Sequence, residues 1–348
     1  MTFGDVFALL VGRRAIDAAT TRAAFDAILS GAWTPVQVGA FATALRVIGE
    51  SEETIVAAAE ALRAVMTAVD HGREVVVDTC GTGGDGAQTL NVSTAAALIV
   101  TACGVPVAKH GNRSVSSRCG SADVVEALGV PIDVPPVRQD EVLAECGMAF
   151  LFAPAHHGAL RHAAQARREL GTRTIFNALG PLANPARASH QLVGVYDDAL
   201  RPVMARALAK LGSRRAWVVR SVDGLDEVSP AAETLVSELR ADGSLTERTI
   251  APEDFGVARA PLEALRGASS EDNARSITEI LSGASHPAVD AILINAAAAL
   301  FVAGVETDLR AAADRARAAV ARGDALRALE AWRAAARARS TATGEAPR

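Results

Sequence analysis

Aromatic side chains are scarce in this sequence, 4% of 348 residues, with a single Tyr and three Trp. That scarcity argues against an interface anchored on Tyr and Trp, and against a platform on which bases stack. Cysteine is thin too: Cys80, Cys103, Cys119 and Cys146 show no C-x-x-C spacing and sit in apolar or glycine-rich surroundings. They read as reduced thiols, neither zinc ligands nor a disulfide framework. No basic tract exists, because the arginines are dispersed and the net charge is −5; nucleic acid is not an expected partner. The longest apolar runs are interrupted, as 288–304 is by Asp290 and Asn295, so no membrane span is expected. The first ten residues include Asp5 and lack a basic stretch, which does not fit a secretion signal, and a cytoplasmic location is the expectation. Internal repeats and low-complexity segments are also missing.

What is present is apolar material for a large interior, half of all residues, in a chain long enough for two packed domains. Residues 20–69 show helical spacing, with Phe25, Ile28 and Leu29, then Phe41, Leu45 and Ile48, then Ile55, Leu62 and Val65 on successive apolar faces. Gly31, Pro35 and Gly49 punctuate them, and Ser51 is placed to cap the third helix. The texture changes at Glu74. Short apolar strands are expected at 75–78, 105–108, 149–153, 191–196, 216–220 and 234–239, with helices at 93–103, 121–128 and 139–146. That alternation predicts a largely parallel sheet covered on both faces. A basic helix and a turn-rich segment over 157–185 interrupt it, and helices return at 270–281, 287–303 and 309–337.

Chemistry-bearing residues gather where strands end. Gly81-Thr-Gly-Gly-Asp-Gly86 fits the spacing of a dinucleotide loop, but the second strand ends in Lys109-His110 instead of a carboxylate for a ribose diol. No Gly-Lys-Ser/Thr follows, so it is not a P-loop. Four glycines in six residues exceed what an ordinary turn needs and suit a nest of backbone N–H groups around phosphate oxygens. Thr89, Asn91, Ser93 and Thr94 follow at a helix start, where free N–H groups and hydroxyls favour phosphate. Lys109-His-Gly-Asn-Arg-Ser-Val-Ser-Ser117 adds two fixed cations and three hydroxyls after the neighbouring strand. Asp223-Gly-Leu-Asp226-Glu227 places carboxylates at a third strand end, as a hard cation such as magnesium requires. His156 and His157 open the helix carrying Arg161, Arg167 and Arg168. Without a third ligand they suit a polar pocket wall better than zinc, and Arg167 is placed to pair with a substrate carboxylate.

With those residues in place, the chain resembles the anthranilate phosphoribosyltransferases over nearly its whole length. The resemblance is carried by Gly81-Thr-Gly-Gly-Asp, Asn91-Val-Ser-Thr94, Lys109-His-Gly-Asn-Arg, Phe150-Leu-Phe-Ala-Pro-Ala-His-His, Arg173-Thr-Ile-Phe-Asn-Ala-Leu-Gly-Pro-Leu-Ala-Asn-Pro185, Asp223-Gly-Leu-Asp-Glu and Asn295-Ala-Ala-Ala-Ala. It implies an α/β fold in which a small all-α domain joins a larger α/β domain with a mostly parallel central sheet, as in nucleoside phosphorylases. By the same resemblance, residues 1–69 with about 157–185 would form the helical domain, carrying the acceptor side and a homodimer contact. Residues 70–156 with 186–340 would form the α/β domain, and 341–348 a frayed tail.

The activity implied is transfer of phosphoribose from phosphoribosyl diphosphate (PRPP) to the amine of anthranilate, the second step from chorismate to tryptophan, with Mg2+. The donor residues implied are Gly81, Gly84, Asp85, Thr89, Asn91, Val92, Ser93, Thr94, Lys109, His110, Gly111, Asn112, Arg113, Ser114, Val115, Ser116, Ser117 and Ser121. Gly81, Asn112 and Arg167 would face anthranilate, and Ser93, Asp226 and Glu227 would hold the metal through its ligands or waters. No catalytic base is assigned; His157 is a candidate for orienting the acceptor. Two departures from the family pattern, Gly158 after the His pair and Arg220-Ser221 before Asp223, bear on acceptor choice more than on the donor. Other readings are transfer to another aromatic amine or a nucleobase, and a non-catalytic relative that binds nucleic acid or a partner, against which the net charge and the intact loops argue.

Overall fold

The computed structural model describes residues 2–83, 86–114 and 119–340. Four helices come first: α1 Phe3–Val11, α2 Ala18–Leu29, α3 Pro35–Ile48 and α4 Glu52–Val65. Their starts follow from local chemistry. Thr2, Asp17, Thr34 and Ser51 each accept a backbone N–H from the first turn, and Pro35 takes the first helical position of α3, where no N–H is needed.

The order then becomes β1 Val77–Gly81, α5 Val92–Ala102, β2 Val107–Gly111, α6 Ser121–Ala127, α7 Gln139–Cys146, β3 Met148–Phe152, α8 Ala153–His156, α9 Arg161–Leu170, α10 Ile175–Leu182, β4 His190–Gly194, α11 Leu200–Lys210 and β5 Arg215–Ser221. The chain continues through β6 Thr234–Leu239, β7 Leu245–Ile250, α12 Ser270–Leu281, α13 Val289–Val302, α14 Leu309–Ala321 and α15 Asp324–Arg337. The seven strands lie in the order β3-β2-β1-β4-β5-β6-β7. β1 to β5 run parallel, and β6 and β7 are antiparallel additions at one edge. The strand order reverses between β1 and β4, so a crevice opens at the carboxyl ends of those two strands.

The two larger apolar interiors flank the sheet. On one side α5 and α13 pack together with α12, α14 and α15. α13 is buried around nearly its whole circumference, which is why its sequence shows no polar face. On the other side one cluster joins residues of α1–α4, α9 and α10 to α11 and to Val193, Val195, Ala216 and Val218 of the sheet. Arg63, in the last turn of α4, closes this seam. Its guanidinium donates to the carbonyls of Leu182 and Leu211, both at 2.7 Å, which end α10 and α11. Burial lowers its pKa to about 10, so it stays charged near neutrality.

Several elements differ from the sequence reading. The expected single helix over 309–337 is two, because Gly323 takes φ 73° and starts a new one. The turn expected at 174–182 is the helix α10; Pro181 lies in its last turn, where a missing N–H costs little, and its carbonyl accepts from Gln191 Nε2 at 2.8 Å. α1, α11 and β7 are additions to the elements expected from the sequence. β1 and β2 extend three residues beyond their apolar runs, to Gly81 and Gly111.

Arg63→Met is expected to destabilise the fold by roughly 2–3 kcal/mol, because two buried carbonyls lose their donor. Urea unfolding with an unchanged m-value checks this; a midpoint equal to wild type would remove Arg63 from the seam.

Candidate functional site at the carboxyl ends of β1, β2 and β4

Asp78 and Lys109 lie in the sheet, 0% and 1% exposed. The Asp78 carboxylate accepts the His110 N–H at 3.1 Å and Asn184 Nδ2 at 2.8 Å. The Lys109 ammonium donates to the Thr79 carbonyl and, at 3.1 Å, to Ser93 Oγ. Burial pushes the Asp78 carboxyl up and is opposed first by the charge of Lys109. Burial pulls the Lys109 ammonium down and is opposed first by Asp78, with Glu227 adding to it. Each charge therefore favours the ionised form of the other against the pull of burial, although the two do not form a direct ion pair.

Lys109 and Thr79 orient the start of α5. Thr79 Oγ1 donates to the Ser93 carbonyl at 2.9 Å, so Ser93 is held from both sides. Asn91 precedes α5 and is fixed by Asn273 Nδ2 at 3.1 Å, while its own Nδ2 donates to the Cys119 carbonyl at 3.3 Å. Val92 and Thr94 are buried. Thr89 pairs with Arg266 in an isolated antiparallel bridge, which ties the far side of the glycine loop to 265–267.

The acidic loop after β5 sits on β1 and β4. A Cβ added at Gly81 would meet Asp226 Oδ2 at 2.8 Å, and one at Gly194 would lie 1.5 Å from the Asp226 carbonyl oxygen. Only glycine leaves room for that approach. Glu227 lies within electrostatic reach of Lys109. Asp223 does something else: it accepts Ser229 Oγ at 2.6 Å and the Leu225 N–H at 3.3 Å, and so shapes the loop. Arg220 Nη1 donates to the Val195 carbonyl at 3.3 Å, and Ser221 Oγ to the Glu233 carbonyl at 3.0 Å. Among the described residues no group of three or more His, Cys, Asp and Glu side chains could cage a metal.

After β2, the Asn112 N–H donates to Ser121 Oγ at 3.2 Å, and a Cβ at Gly111 would meet Ser121 Oγ at 2.3 Å and the Phe150 ring at 2.5 Å. Asn112 is exposed. Arg113 turns towards α6, pairing with Asp123 at 2.9 Å and Glu126 at 2.6 Å, and so offers no free cation. The Ser114 N–H donates to Asp123 Oδ2 at 3.2 Å. Gly84, Asp85, Val115, Ser116 and Ser117 lie outside the described residues, as do 341–348.

A buried histidine pair, His110 and His157, lies at the end of β2. His110 Nδ1 bonds the Gly180 carbonyl at 2.9 Å, and its ring centroid is 5.1 Å from that of His157. Burial lowers His110 to about 3 and His157 to about 4. Both rings are therefore neutral near pH 7. Arg167, on α9, stands 5.7 Å from the Phe176 ring centroid, its charge disfavoured by burial. It has no carboxylate partner among the described residues. Gly158 is exposed and opens a 3₁₀ turn before α9.

Sequence reasoning passed over Asp78, Asn184, Gly194 and Tyr196. Asp78 was the most accessible of these, a carboxylate inside an apolar strand. Gly194 carried no signal, since its need for a missing Cβ comes from a loop more than thirty residues later.

Gly194→Ala is expected to lift the 223–227 loop and break the 2.9 Å bond from the Thr82 N–H to the Gly194 carbonyl. Amide hydrogen exchange at Thr82 and 223–227 should then accelerate by roughly tenfold or more with the sheet core unchanged; wild-type protection there would show that the contact is not limiting.

Comparison with known proteins agrees with this geometry. Residues 73–326 match the model of the glycosyl transferase family a/b domain, and residues 5–66 that of its helical bundle domain. An anthranilate phosphoribosyltransferase of Myxococcus xanthus is 49% identical over 331 residues, 95% of this chain and 98% of the relative. The crystal structure of the Thermus thermophilus anthranilate phosphoribosyltransferase superposes with a TM-score of 0.90 at 39% identity, covering 96% of this chain and 99% of that one. The Saccharomyces cerevisiae enzyme, solved in complex with PRPP and Mg, gives 0.90 at 29% identity, covering 97% and 98%. The same enzyme solved with 4-fluoroanthranilate gives 0.87 at 28% identity, covering 97% and 99%. A fold of this strand order, with its phosphate-type loops at the switch point and identity of this extent, leads to one assignment: the chain belongs to the anthranilate phosphoribosyltransferase family.

Proposed function

We propose that the chain transfers the phosphoribosyl group of PRPP to the amine of anthranilate, releasing diphosphate, with Mg2+ as cofactor. The observation that carries this reading is the convergence of Gly81, Ser93, Lys109 and Asp226 at one crevice. The name shared by the relatives supports it, as do the complexes of the yeast enzyme with PRPP and Mg and with 4-fluoroanthranilate.

In this reading the donor lies on Gly81, Gly84, Asp85, Thr89, the Asn91–Thr94 helix start, Lys109 and the 110–117 loop, closed by Ser121. Arg113 contributes through its backbone, since its side chain is engaged on α6. Ser93, Asp226 and Glu227 fit magnesium, because all offer hard oxygen and such an ion takes its remaining ligands from phosphate and water. When bound, that ion would neutralise charge developing on the departing diphosphate.

The chain's own residues do the rest. C1 of the sugar gains positive character as diphosphate leaves, so donors already aimed at the leaving group are the main catalytic need. Lys109 and Thr79 hold Ser93 and the α5 start in place beforehand. Arg167 offers a two-pronged donor to the anthranilate carboxylate. His157, neutral by burial, can orient the amine by hydrogen bonding; a weakly basic aromatic amine needs no strong base. The 1–69 plus 157–185 division would carry the acceptor side and, we propose, a homodimer contact. In its support, Val36 and Val47 of α3 are 81% and 78% exposed, spaced to share one helical face.

Loss of anthranilate fluorescence on adding PRPP and magnesium tests the activity; folded protein that leaves the signal unchanged would overturn it. Asp226→Asn with Glu227→Gln is expected to lower the rate at least roughly a hundredfold, with partial recovery as magnesium is raised. Unaltered activity would remove the metal assignment. Arg167→Ala is expected to raise KM for anthranilate by roughly ten- to a hundredfold, the loss of a charged hydrogen bond, with KM for PRPP nearly unchanged. Equal effects on both substrates would refute the acceptor role.

A further inference from the structure

We propose that Tyr196 is a positioning residue that couples the seating of the phosphate loop to the helices carrying the acceptor side. This rests on reading the loop that starts at Gly81 as the PRPP loop. Tyr196 is the chain's only tyrosine and follows β4 by two residues, at the point where the strand order reverses. Its backbone N–H donates to Thr82 Oγ1 at 3.0 Å, and the Thr82 N–H donates to the Gly194 carbonyl at 2.9 Å. The second residue of the loop is thus held twice by the segment that leaves β4.

The ring of Tyr196 reaches the other way. The Arg173 guanidinium carbon lies 4.3 Å from its centroid and that of Arg46 lies 5.9 Å away. Arg173 occupies the turn between α9 and α10, directly before Thr174, the N-cap of α10. Arg46 is in the last turn of α3. It is itself fixed by Asp197 at 3.3 Å and by Glu50 at 3.8 Å, whose side chain is 1% exposed. Burial holds the Glu50 carboxyl above its usual range despite the opposing charge of Arg46.

One short segment therefore links three elements. A shift of the α9–α10 turn, which stands between Arg167 and Phe176, passes through the Tyr196 ring to the backbone that holds Thr82. The donor loop is indexed to the acceptor wall by stacking on two guanidinium groups, a geometry that an aromatic ring supplies and an aliphatic side chain does not.

Steady-state kinetics of Tyr196→Phe and Tyr196→Leu, with magnesium, PRPP and anthranilate, test this, alongside amide exchange at Thr82 in the ligand-free protein. Phe keeps the ring and should stay within about twofold of wild type in both readouts. Leu should raise KM for PRPP roughly tenfold with kcat changed by less than about threefold, and should accelerate exchange at Thr82. Arg173→Met should reproduce the Leu behaviour. Wild-type KM and wild-type Thr82 protection in the Leu variant would overturn the proposal. So would a fall in kcat alone that tracks the folded fraction, the mark of a merely structural residue. Wild-type protein that does not turn over PRPP would instead sink the reading of the loop, and the exchange measurement would still decide the role of Tyr196.

Discussion

Two opposite charges buried together, Asp78 and Lys109, are the constraint to which most of the site answers. Each is almost fully withdrawn from water in the middle of a sheet, at a desolvation cost of several kcal/mol per ion. Their mutual attraction offsets that cost only if the remaining lone pairs and protons are satisfied. Asn184, the His110 N–H, the Thr79 carbonyl and Ser93 do this. Strands β1 and β2, the start of α5 and the segment after α10 are thereby locked to one another. A site that must receive a polyanion is then organised before the ligand arrives, which is the condition under which fixed donors are most effective.

A steric constraint complements the electrostatic one. Gly81 and Gly194, paired across β1 and β4, admit the backbone and side chain of Asp226, and Gly111 admits Ser121 and Phe150. These contacts draw loops from three strand ends into one crevice at the switch point. The proposed acceptor side is built differently, from helices α9 and α10. Polar and ring contacts that hold them include His110 on the Gly180 carbonyl, Gln191 on the Pro181 carbonyl, Arg63 on the ends of α10 and α11, and Tyr196 between Arg173 and Arg46.

Legibility followed the same division. Gln139–Cys146, Thr234–Leu239 and Ser270–Leu281 were read with the bounds the structure has, because their apolar spacing is regular and turn-forming residues bracket them. The ends of β1 and β2 were read short. Thr79 to Gly81 and Lys109 to Gly111 are polar or small, so they look like loop, yet ladder bonds to β4 and β3 keep them extended. The candidate site residues that cluster in sequence stand out for this reason: glycines, hydroxyls and charges at strand ends break the apolar texture. Arg113 shows the limit of that logic, since a cation in a phosphate-type loop proves to be neutralised by Asp123 and Glu126 on the next helix.

The sequence by itself determined the alternating strands and helices, the glycine and hydroxyl loops, the acidic pair and hence the chemistry of a phosphorylated, metal-bound donor. Local spacing and residue type are sufficient for that, because each motif is contiguous in the chain. Only the tertiary structure decided that Asp78 and Lys109 are buried together, that Gly194 makes room for Asp226, that the histidines of two separate segments face each other as neutral rings, and that the Tyr196 ring lies against Arg173 and Arg46. Those relations depend on desolvation and close approach between residues tens of positions apart, and neither quantity exists until the chain is packed.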